Sequence, residues 1–228
     1  MRLPFHARIE LGLTTVEGHL ALWRSGIHHR GVSPANLMYK VEGSRVVGVL
    51  IDFDLATRVE SVTGNECTGT VPFKALNLLT EEGLAGEIKH VYAYDAESFV
   101  WVLVWICLRY DNGELRKFGR RPLDEWLKVD ALRCAKEKIH FMLCPPRSLK
   151  AGQGHERNWL VAKKCLDALR ERLLSRSEIS SDAACEGPFE VLLAGPHRKY
   201  AAEEQRLLHF SNSRNSTLMT QVCMNACK

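Results

Sequence analysis

The chain has 228 residues with a net charge of +4, a mild balance that gives no ground for nucleic acid or a membrane surface as the main partner. Its hydrophobic content of 46% is that of a globular protein with a buried core. The eight cysteines include no C-x-x-C, and Cys223 with Cys227 lacks histidines at zinc spacing. Cys107 and Cys165 lie in apolar runs, where a free cysteine behaves as a small hydrophobe. That usage fits a reducing compartment, so the expectation is an intracellular protein of cytoplasm or nucleus.

In chain order, Thr14 and Glu17 form a T-x-x-E pair that predicts a helix opening there and running to about Ser25. Val16, Leu20 and Trp23 fall on one face of it, and Gly26 is placed to end it. A polar loop with Gly31 and Pro34 follows. "ANLMYK" and "RVVGVLIDF" flank "VEGS", which predicts a β-hairpin with an almost wholly apolar second strand. Residues 57–90 are weakly periodic and read as a long functional loop.

From Asp95 the chain is apolar all round to Leu108, predicting a central helix. Its run "FVWVLVWICL" is about half the length of a membrane span. Arg116, Lys117, Arg120 and Arg121 read as a solvated basic loop. Pro122 is placed to open a helix through "PLDEWLKVDALRCAKEKIHFML", stopped by Pro145-Pro146. Trp159, Ala162, Leu166, Leu169 and Leu173 recur at helical spacing. After Ser175 the composition turns polar, which predicts a poorly ordered tail over 176–228 with a short helix near 200–209. The sequon Asn215-Ser216-Thr217, with no signal peptide ahead of it, is read as idle.

Two residues point to phosphate chemistry. Phosphoryl transfer asks a protein chiefly for position and charge neutralisation. Asp52 closes an apolar strand and Asn36 opens the hairpin, so both can present oxygens to one magnesium ion. Singly each is an ordinary turn residue. Joined by one hairpin they form a more specific pair.

The ordered stretches "HHRGVSPANLMYK", "LIDFDLA", "TGTVPF", "YDAESFVWVLVWIC" and "PLDEWLKVD" together resemble the fungal-type protein kinase family. Its members typically show H-R-D-x-S-P-x-N, L-I-D-F-D-L-A and D-x-E-S-F in this order. The resemblance covers about residues 10–175 and implies a mainly α fold with a small β-hairpin. That fold is a protein-kinase-like C-lobe over residues 1–175. It also implies Mg²⁺ and ATP as cofactors, with Asn36 and Asp52 as metal and nucleotide ligands. His29 becomes a packing residue and Arg30 the partner of a phosphorylated or acidic group. Gly69 and Thr70 shape the peptide-substrate loop, and Asp95 holds backbone amides of the catalytic loop.

Three departures bear on activity. Gly31 stands where the family has its catalytic aspartate, and neither Val32 nor Ser33 supplies a base. Asn77 replaces the glutamate that closes the activation segment. "GIHHR" begins at residue 26, and no G-x-G-x-x-G, phosphate-binding strand lysine or helix C glutamate precedes it, so an N-lobe is expected to be missing. The expectation is a truncated, catalytically impaired pseudokinase with weak or lost ATP binding. It would act through protein binding, with self-association through the uncovered upper face of the C-lobe. The alternative is an active Ser/Thr kinase using another base; a small-molecule phosphotransferase of related fold is the third reading.

Overall fold

The computed structural model describes residues 5–43, 45–54, 56–58, 69–119 and 121–175. The proposed tail, its short helix, the sequon, Cys223 with Cys227, and Arg120 lie outside the described residues. Among them the fold is mainly helical with small antiparallel β elements. It consists of α1 (Phe5–Arg24), β1 (Ile27–His28), β2 (Leu37–Glu42), β3 (Arg45–Leu50), β4 (Thr57–Arg58), α2 (Glu81–Leu84), α3 (Tyr92–Arg109), β5 (Tyr110–Asp111), β6 (Glu114–Leu115), α4 (Ala131–Leu143) and α5 (Glu156–Leu174). The strands form three separate two-stranded ladders, β1 with β4, β2 with β3 and β5 with β6.

α3 is the axis of the molecule. Sixteen of its 18 residues are buried, as a helix apolar on every side requires. Trp101, Val104, Cys107 and Leu108 are wholly excluded from solvent. Val16 and Trp23 of α1, Phe141 and Met142 of α4, and Val161, Cys165 and Leu169 of α5 close round it in one cluster. Burial pushes the Cys165 thiol up to about 12 and raises Cys107 further, so both are inert packing residues.

Several boundaries differ from the sequence reading. α1 begins well before Thr14, so Thr14 does not cap it. Its Oγ1 instead accepts the Gly48 amide at 2.7 Å, tying α1 to β3. The helix does end at Arg24, with Gly26 following in the left-handed region at φ 77°. The hairpin forms, but Val41 and Glu42 belong to β2 rather than to the turn, with Leu37 opposite Leu50 and Glu42 opposite Arg45. β3 stops at Leu50, so Asp52 lies beyond the strand rather than at its end.

The long loop of 57–90 carries β4, two 3-10 turns and the short α2 where it is described. The single helix expected from Pro122 is two pieces, a 3-10 turn at Asp124–Leu127 and α4. Leu123 sits at φ 67° and the Asp130 side chain accepts the Arg133 amide at 2.8 Å. A left-handed residue and a side-chain cap start a helix afresh.

The basic loop is not simply solvated. Arg116 donates to both carboxylate oxygens of Asp111 at 3.0 Å, to the Leu108 carbonyl and to the Ala151 carbonyl. Arg121 lies 3.6 Å from Asp124, whose other oxygen pairs with Arg109. Two members of the cluster thus fix the turn after α3.

Trp101→Ala should cost about 3–5 kcal/mol, the usual toll of emptying a buried indole site, read as a fall in the urea midpoint. Gly152→Ala should also destabilise, by at least about 1–3 kcal/mol, because an added Cβ would run into the Tyr110 carbonyl oxygen. Gly18→Ala should do the opposite. Gly18 is helical with nothing within 4 Å of an added Cβ, so alanine should stabilise by about 0.5–1 kcal/mol.

Candidate functional site

The polar loop between β1 and β2 is held by its own histidine. His29 is wholly buried, and its Nε2 lies 3.0 Å from the Ile51 carbonyl oxygen. A carbonyl only accepts, so Nε2 carries the proton. Nδ1 is then a bare acceptor, and the Gly31 amide donates to it at 3.2 Å. Neutral His29 therefore bridges the loop to the chain leaving β3. Burial lowers its pKa against the opposing hydrogen bond to Ile51 and the charges of Asp95 and Asp52. Protonation would set a second N–H against the Gly31 amide.

Asn36 continues the same bracing. Its Nδ2 donates to the Gly31 carbonyl at 2.8 Å, and its own carbonyl accepts the Ile51 amide at 2.9 Å. The amide oxygen of Asn36 remains as an acceptor. Asp52 follows Ile51 directly, exposed and at φ 65°. An aspartate in the left-handed region is an uncommon backbone state. The hairpin thus brings Asn36 and Asp52 to the same end of β2 and β3.

Two oxygen donors suit magnesium when phosphate oxygens and water complete its shell. Among the described residues no group of three or more His, Cys, Asp or Glu side chains could hold a metal. The donor set fits a nucleotide-borne magnesium and not an all-protein cage.

Gly31 itself is buried, with a backbone outside the left-handed region. An added Cβ would meet His29 at 3.5 Å and Asn36 Nδ2 at 3.6 Å, ordinary contacts. This loop has room for a Cβ at position 31. Gly69 is different. It sits at φ 98°, and an added Cβ would lie 3.3 Å from the Arg30 carbonyl. The segment carrying Gly69 and the exposed Thr70 therefore passes close over Arg30 and Gly31. Arg30 is half-buried at φ 62°.

Beneath the loop lies Asp95, in the first turn of α3 and fully buried. Its Oδ2 takes the Arg30 amide at 3.4 Å and His19 Nε2 at 3.0 Å; its Oδ1 takes His90 Nε2 at 3.0 Å. Burial pushes the carboxyl pKa up, but the charge of His90 and the hydrogen bonds from both imidazoles outweigh it. The net result is a pKa well below the usual carboxylate range. The ionised Asp95 carboxylate only accepts, so His19 Nε2 carries the proton between them, while its buried Nδ1 has no hydrogen-bond partner among the described residues.

Glu97 does parallel work on the segment after Thr70. Its Oε1 accepts the Leu76 amide at 2.8 Å and the Trp101 indole N–H at 2.9 Å, while Oε2 lies 3.6 Å from Arg172 of α5. Lys138 of α4, wholly buried, donates to the Lys74 carbonyl and lies 4.7 Å from the Trp101 ring centroid. Burial lowers its pKa to about 8. Glu97 and Lys138 thus tie this segment to α3, α4 and α5.

The sequence reading missed His19, His90, Glu97 and Lys138. His19 had a signal, since it shares the buried face of Val16, Leu20 and Trp23. Glu97 stands in the quoted D-x-E-S-F stretch. Lys138 had none, because lysine at a helix position reads as solvated.

A helical domain with a histidine-braced loop, a hairpin and a buried acid beneath them is kinase-like. Comparison with protein families agrees: the model described as fungal protein kinase matches residues 13–107. Those residues are a fungal-type protein kinase domain, and they include every site residue from Asn36 to Asp95. No curated protein matches the chain.

Stability should fall on acidification in two steps. The unfolded chain protonates His29 below about pH 6.5, while the buried folded imidazole does so only at lower pH. The unfolded state then binds more protons, so stability drops as pH falls through that window. Asp95 adds the second step: its contribution is intact above about pH 4 and is lost as pH falls through its depressed folded value. Melting temperatures of parent and His29→Gln between pH 7.5 and 5 should show a shallower slope in the variant. Equal slopes would remove His29 from this role.

Proposed function

We propose that this protein is a kinase-fold module that does not transfer phosphate and acts by binding other proteins. The observation that carries this reading is Gly31. The loop around it is braced by His29, Asn36 and Asp95, yet its base position bears no side chain. Without an acid there, the substrate hydroxyl has no proton acceptor, and a positioned base typically contributes about 10²–10⁴-fold. The 228 residues also carry no G-x-G-x-x-G, the glycine-rich loop that covers the phosphates in protein kinases. Charge alignment at the transferring phosphate is the larger share of this catalysis.

In this reading residues 1–175 are the working unit, a C-lobe, and residues 176–228 its tail. Arg30 offers a cation to an acidic or phosphorylated group, and the segment at Gly69 and Thr70 faces a peptide. Val41, Ile51 and Phe53 are exposed large apolar side chains near the hairpin. Exposed apolar surface of this kind favours a protein partner. No helix among the described residues is long and apolar enough to cross a membrane.

The second reading, an active Ser/Thr kinase, is favoured by one feature: Asn36 and Asp52 stand at one end of the hairpin, where they could offer oxygens to a magnesium ion. When Mg-ATP is bound, the ion would neutralise phosphate charge. Asn36 and Asp52 would orient it from the hairpin end.

One set of assays separates the two. The parent protein should show no thermal shift with millimolar Mg-ATP and no radiolabel transfer to protein substrates. Gly31→Asp, whose Cβ the loop has room to accept, should still transfer nothing, with its fold checked by thermal melting. Transfer by the parent that disappears in Asp52→Ala would establish the active-kinase reading instead.

A further inference from the structure

We draw no further inference here: the strongest candidate, the open edge of β2 with the exposed Val41 on it, carries nothing because nothing in the structure shows what covers it.

Discussion

The Asp95 carboxylate joins three parts of the chain through one buried charge. An unpaired charge buried this deeply would cost several kcal/mol. Here three N–H groups surround it, from α1, from the turn before α3 and from the loop at Arg30. Removing any one partner leaves the charge short of compensation, so the three elements are mutually dependent. The left-handed backbone at Arg30 persists because this donor arrangement fixes its amide.

A second buried carboxylate extends the same logic along α3. Asp95 and Glu97 stand two residues apart; the first secures the loop and the second secures the segment that crosses above it. Lys138 completes the arrangement from α4, donating to a backbone carbonyl rather than to an acid, with the Trp101 ring beside its ammonium. A cation over an indole face gains favourable energy when desolvated. The central helix is therefore both the apolar core and the mount for the polar framework.

That framework is complete around Gly31. Gly31 donates its amide to His29 and accepts from Asn36, so its backbone is fully used. Its lack of a carboxylate neither strains nor loosens the loop. Architecture and chemistry are separable here.

The order of letters alone was enough to place α3, the β2–β3 hairpin and the end of α1. Each depends on short-range properties: an apolar run, alternation about a Gly-containing turn, and glycine after a helix. It also named Asn36, Asp52, Gly31 and Asp95 as candidates, because their motifs are short and ordered. Tertiary structure decided the rest. Thr14 reads as a helix cap until Gly48, 34 residues away, takes its hydroxyl. The segment from Pro122 reads as one helix until Leu123 turns left-handed and Asp130 caps a new start. His19 meets Asp95 across 76 residues, and Lys138 meets Lys74 across 64. No local pattern encodes such partners, because a buried charge is satisfied by whichever donors the packed helices bring to it.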